Sequence, residues 1–261
     1  MTSQTHTGSC ACGGVAFAMT GPLRPVIACH CTQCRKTSGH YWTATSVPHD
    51  RFRLIRSDTL RWFRSSDTVE RGFCAACGAS LFWHPFGEGT MYAAPGALDG
   101  PTGLAIGEHW FTEDAGDYYR PEGPPPLPDP APPARLDCSC LCGDVRFSLP
   151  GPAGPVTACH CTDCRRISGH YAASFDVDEA TVDWHDRTGL AEYATPGGAT
   201  RGHCLRCGSS LWFRAPDGVF SVEAGCVTGP TGGRLASHVF TGEKGDYYSL
   251  NDGLPQHGAR E

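Results

Sequence analysis

The sequence has no long apolar run: none of its hydrophobic stretches approaches the length that crosses a bilayer, which argues against a helical membrane protein. It also lacks a basic stripe. At a net charge of −6 it offers a phosphate backbone little to hold, so nucleic acid is not an expected partner. No stretch keeps a helical period for three turns, which argues against a helix bundle. No apolar signal segment follows Met1, and the opening residues are polar. What the chain does have is 40 % hydrophobic and 10 % aromatic content over 261 residues, enough for one large or two ordinary domains with real cores.

It also has sixteen cysteines. In a small secreted chain that number would suggest a disulfide framework, but here the C-x-C and C-x-x-C spacings are those of metal ligands. A reducing cytoplasm is the expected location. Cys10, Cys12, Cys29, Cys31, Cys34, Cys74 and Cys77 recur as Cys140, Cys142, Cys159, Cys161, Cys164, Cys204 and Cys207, each shifted by 130 positions. Further along, the shift is 129: His109, Phe111 and Tyr118-Tyr119 recur as His238, Phe240 and Tyr247-Tyr248. One residue has been lost or gained after the second C-x-x-C knuckle.

Between the copies, residues 121–133 are dominated by proline and should run as extended polyproline. The expected organisation is therefore a domain over 6–120, a linker over 121–135 and a second domain over 136–255. The spacer is long enough for the halves to dock as an intrachain pseudo-dimer, although two independent beads suit the same composition. Short apolar stretches at 15–17, 41–47, 60–63, 81–83 and 91–92 read as strands, with counterparts at 145–147, 171–177, 192–193, 211–213 and 219–222. Each half is expected to be all-β, with irregular loops carrying the sulfurs and a short helical turn after Cys34 and Cys164.

In an extended segment alternate side chains share a face, so each C-x-C is half a ligand set. Each C-x-x-C-Gly knuckle supplies two more sulfurs. Seven ligands per copy divide most simply as a closed site (Cys10, Cys12, Cys74, Cys77; Cys140, Cys142, Cys204, Cys207) and an open one (Cys29, Cys31, Cys34; Cys159, Cys161, Cys164). That predicts two zinc ions per domain and four per chain. Three thiolates leave Zn²⁺ with net charge −1, a weak Lewis acid that favours a soft thiolate over activated water. A small-molecule thiol, or its aldehyde adduct, is the expected guest in the fourth position.

These motifs resemble the glutathione-dependent formaldehyde-activating enzymes and the related centromere protein V. The matching residues are Cys10-x-Cys12-Gly13, Cys29-His30-Cys31-x-x-Cys34-Arg35 with Ser38-Gly39, Phe73-Cys74-x-x-Cys77-Gly78 and His109, and the second copy repeats them through His238. The resemblance implies packed irregular β sheets, a structural four-cysteine zinc and a catalytic three-cysteine zinc, and reversible addition of a thiol to an aldehyde, a carbon–sulfur lyase-type reaction. The second copy departs at His203, which replaces an aromatic residue, at Cys138, an extra thiol expected as a spare buried cysteine, and at Cys226, which stands where the first copy has Ala97.

His40 and His170, six residues beyond each triplet, are candidate general acids or bases for the thiol and hemithioacetal proton. His109 and His238 read as structural. Arg35 and Arg165 are candidates to offset thiolate charge or to pair with a substrate carboxylate. Trp83, Tyr92, Trp212 and Phe220 read as core. The functional alternatives are a non-catalytic zinc-scaffolded interaction module and a zinc-dependent lyase or hydrolase of a specialised pathway.

Overall fold

The computed structural model of the chain describes residues 4–127 and 131–259, so part of the expected linker, Pro128-Asp129-Pro130, lies outside the described residues. The first half contains β1 (Thr5–Ser9), β2 (Val15–Thr20), β3 (Val26–Cys29), α1 (Thr32–Ser38), β4 (Trp42–Pro48), β5 (Phe52–Ser57), β6 (Leu60–Arg64), β7 (Val69–Cys74), β8 (Ser80–Pro85), β9 (Thr90–Ala93) and β10 (Ile106–Trp110). A small sheet runs β1-β2-β5, and a larger one runs β10-β3-β4-β9-β8-β7-β6. All neighbours are antiparallel except β10 on β3. Strand β2 shows why the chain pleats here: Val15, Phe17 and Met19, on one face, are fully buried.

The second half repeats this plan with β11 (Arg135–Ser139), β12 (Arg146–Pro150), β13 (Pro155–Cys159), α2 (Thr162–Ser168), β14 (Ala172–Val177), β15 (Asp183–Asp186), β16 (Leu190–Ala194), β17 (Thr200–Cys204), β18 (Ser210–Arg214), β19 (Phe220–Glu223), β20 (Val227–Thr228) and β21 (Arg234–Val239). Its large sheet, β21-β13-β14-β19-β18-β17-β16, matches the first strand for strand. The missing residue lies in one hairpin. Trp83 pairs with Tyr92 across the β8–β9 turn, whereas Phe213 pairs with Ser221 across the shorter β18–β19 turn. The protein is two repeated all-β units; among the described residues no helix is long and apolar enough to cross a membrane.

The two units exchange hydrogen bonds reciprocally. Asp117 accepts from the Thr231 amide and hydroxyl and from Gly232 N–H, while Asp246 accepts from the Thr102 amide and hydroxyl and from Gly103 N–H. Ile106 N–H donates to the Tyr247 carbonyl at 3.0 Å, and Leu235 N–H to the Tyr118 carbonyl at 2.8 Å. Gly96 N–H reaches Gly169 O, and Gly225 N–H reaches Gly39 O. Tyr41, Tyr118 and Tyr119 pack into the same apolar cluster as Tyr171, Tyr247 and Tyr248, so one core runs across the seam.

The glycines at the seam are there for lack of space. A methyl on Gly225 would meet the backbone of Arg35 and Gly39, and backbone cannot swing aside as a flexible side chain can. Gly225→Ala is expected to lower stability by about 1–3 kcal/mol in urea unfolding. Gly154→Ala, which meets nothing within 4 Å, serves as the control and should stay near the parent.

Candidate metal centres

Four sulfur clusters emerge from the fold. Cys10 and Cys12 sit on a turn after β1 rather than in an extended strand; Gly13 N–H closes that turn onto the Cys10 carbonyl at 3.1 Å. The turn, not strand alternation, aims both sulfurs one way. Cys74 ends β7, and Gly78, left-handed at φ +76°, closes the knuckle by donating to the Cys74 carbonyl at 2.9 Å. The Cys10 and Cys12 sulfurs are 3.5 Å apart, and those of Cys12 and Cys74 are 3.6 Å apart. Cys140, Cys142 and Cys204 repeat these spacings at 3.5 and 3.6 Å, and each set of four lies within 4.8 Å. A disulfide would need about 2.05 Å; a tetrahedron with metal–sulfur bonds of about 2.3 Å has edges of about 3.8 Å. Amide donors at Val15 and Val145 point at the Cys10 and Cys140 sulfurs, as thiolates require. The donor set fits a thiophilic metal ion, and all sixteen cysteines are free of disulfides.

The triplets are built differently. Cys29 ends β3, Cys31 is the N-cap of α1, and Cys34 lies inside its first turn, so the helix begins before Cys34 rather than after it. The second triplet is Cys159 at the end of β13 with Cys161 and Cys164 of α2. In each, the three sulfurs lie within 4.8 Å, and among the described residues no histidine or carboxylate joins the group. The Cys31 and Cys161 thiols are held well below the usual range, chiefly by hydrogen bonds from the two neighbouring sulfurs and further by Arg71 and Arg201. Those arginines are buried, and each aims Nη2 at a sulfur: Arg71 at Cys34 at 3.6 Å, Arg201 at Cys164 at 3.2 Å. The charge-offsetting role expected of Arg35 and Arg165 belongs to them. Arg165 instead donates to the Gly96 carbonyl across the seam. The missed signal was present in the sequence: Arg71 and Arg201 stand three residues before Cys74 and Cys204 in both copies.

The sequence model of a family described as glutathione-dependent formaldehyde-activating enzyme matches residues 5–114 and again 135–243. The chain belongs to this family. It carries the family domain twice, each copy with one four-sulfur and one three-sulfur group.

Within this family frame, the histidines behind the triplets form the seam. His40 and His170 line neither triplet chamber. His40 hydrogen-bonds with the hydroxyls of Tyr118 at 2.7 Å and Tyr171 at 3.1 Å; His170 does so with Tyr247 at 2.9 Å and Tyr41 at 2.8 Å. Both are fully buried, and burial pushes them well below the usual histidine range. A neutral ring with both nitrogens engaged has no free site from which to pass a proton to a substrate, so the geometry replaces the expected acid–base role with a structural one. The physical reason is the left-handed Gly39 and Gly169, at φ +85° and +84°, which turn the chain away after each helix. His30 links Tyr119 to His109, and His160 links Tyr248 to His238, which also meets Asp252 at 2.8 Å. His203 sits over the opposite knuckle and meets the Ala75 carbonyl at 3.1 Å. Cys138 and Cys226 are buried and belong to none of the sulfur groups.

Each triplet faces a chamber. Trp83 and Tyr92, expected as core, are half-buried in the wall of the first, while Trp212 and Phe220 are buried in the core. Phe111 and Phe240, in left-handed backbone at φ 55° and 57°, line the two chambers. The second chamber also contains Glu223, a residue sequence reasoning did not single out because the first copy has Ala94 there. Burial pushes the Glu223 carboxyl up to about 8, with Arg201 opposing. The folded state thus holds this proton between the ordinary value of 4.5 and about 8, and the group costs stability as pH rises through that window. Glu223→Gln is expected to gain on the parent as pH goes from 5 to 8, by on the order of 3 kcal/mol, in paired urea titrations.

Proposed function

We propose that this chain is a zinc-dependent enzyme of carbon–sulfur lyase type that adds a small thiol to an aldehyde, or reverses that addition, at its three-sulfur sites. One observation carries the reading: three sulfurs converge from three sides, and their remaining side faces a chamber rather than a fourth protein ligand among the described residues. Cys29, Cys31 and Cys34, with Cys159, Cys161 and Cys164, would hold one zinc each, and the four-sulfur groups would hold two more that tie the turn after the first strand of each half to a distant knuckle.

Zinc at a triplet would lower the pKa of a thiol in its fourth position, so that it is a thiolate near neutrality. The rest falls to the chain. Arg71 and Arg201 stabilise the sulfur-rich centre by donating to Cys34 and Cys164. The chamber walls orient the aldehyde. Addition forms one carbon–sulfur bond, and the thiol's proton ends on the former carbonyl oxygen. Polar residues that line the chambers include Gln33, Ser65, Ser66 and Tyr92 in the first half and Ser221 and Glu223 in the second. The arginine-backed sulfur centre favours this reading over a purely scaffolding role, since a scaffold has no need of a chamber at its metal.

Metal analysis of the purified chain should return about four zinc ions, two resisting chelators and two more labile; two in total would overturn the assignment. Cys34→Ser with Cys164→Ser is expected to keep the fold and abolish thiol–aldehyde addition, whereas Cys77→Ser should unfold its half, read by circular dichroism and by product formation in parallel.

A further inference from the structure

We infer that the two three-sulfur sites take substituents of opposite character, the first an aromatic or flat apolar group and the second a polar, hydrogen-bonding one. The inference rests on the function proposed above and names the substrate class of each site.

Both strand neighbours of Cys29 are tryptophans: Trp42 opposite it on the antiparallel side and Trp110 on the parallel side. Cys159, at the same place in the second half, has Ala172 and Val239. Further up the wall, Trp83 pairs with Tyr92, ring against ring at 4.9 Å and 85°, whereas Phe213 pairs with Ser221. Four aromatic positions thus become one. The first chamber is about 240 Å³ and the second about 460 Å³.

The polar character inverts along with the size. Glu223, 2 % exposed, has one carboxyl oxygen without a partner, and it lines the second chamber together with Asp163 and the Ser221–Asp176 pair, bonded at 2.6 Å. The exchange is position for position. Trp42 and Ala94 fill the space against Gly169 in one half, while Glu223 fills the equivalent space against Gly39 in the other. An indole edge in one chamber is replaced by a carboxyl group in the other. An apolar guest in the second chamber would leave the buried Glu223 Oε2 without a partner, and a polar guest in the first would meet only a few polar residues, among them Gln33, Ser65 and Ser66, in a largely aromatic wall.

The test uses the zinc-loaded full chain, calorimetric titration and tryptophan fluorescence. Phenylmethanethiol is expected to bind one site per chain at least about tenfold more tightly than 2-mercaptoethanol and to perturb tryptophan emission. Combining Trp83→Phe, Tyr92→Ser and Trp110→Val installs the residues that the second half already carries in the same registers. This variant should lose the preference, phenylmethanethiol binding falling about tenfold towards that of 2-mercaptoethanol. Two equivalent phenylmethanethiol sites, or a preference that survives the substitutions, would overturn the inference. Cysteamine should favour the other site, and Glu223→Ala, the residue of the first half, should weaken it about tenfold; unchanged cysteamine binding would overturn the polar assignment. Benzyl alcohol separates this inference from the proposed function. If it binds the parent and not the triple variant while no thiol binds, the thiol chemistry fails and the aromatic chamber stands; if neither aromatic probe binds, the chamber assignment falls.

Discussion

Sulfur convergence is the constraint on which the rest of each half depends. Cys10 and Cys12 lie on a turn near the start of the chain, and the knuckle they meet is more than sixty residues further on, yet Cys12 and Cys74 end 3.6 Å apart. Four thiolates at that separation repel unless a cation sits among them. The closure pins β1 to the end of β7, and thereby joins the small sheet to the large one. The knuckle glycines extend the effect across the molecule. Gly78 packs under His203 and Gly208 under Phe73, so each four-sulfur corner is braced by the half it does not belong to.

The seam explains why histidines stand so close to the triplets without entering them. Each helix that carries two ligand sulfurs ends in a left-handed glycine, and that glycine's carbonyl accepts from a glycine N–H of the other half. The next residue, His40 or His170, is then committed to the tyrosines of the seam. The triplet's outward side faces a chamber, and its inward side is locked against the opposite half. Rigidity of this kind is what a site needs in order to hold three ligands and leave a fourth position for a guest.

Duplication has also let the halves diverge where divergence is cheap. Ligand sulfurs, knuckle glycines, the arginine aimed at the last sulfur and the seam aspartates are the same in both copies, because each is tied to several partners at once. The chamber walls are tied to fewer partners. Trp83, Tyr92 and Trp110 contribute rings to a cavity, and Phe213, Ser221 and Val239 stand at the corresponding paired positions of the second half.

The grouping of the sulfurs, the twofold repeat, the β character and the short strands around 42–47, 60–63 and 81–83 were legible in the chain itself, because cysteine spacing and period-two alternation are local. Strands β1, β3, β5, β7 and β10 were not read: β3 is only four residues long, and β7 and β10 are interrupted by glycines and polar groups. Arg71 and Arg201 stood in plain view three residues before a knuckle, but only the fold turns a position on β7 or β17 into a donor to a sulfur on a helix. His40 and His170 went the other way, near the triplets in sequence and turned from them by one left-handed glycine. Residue type and spacing determined which atoms could bind a metal. Which face stays open, what walls it and which charges look into it were decided by strand register and by the packing of one half on the other, interactions between residues that no local stretch of sequence brings together.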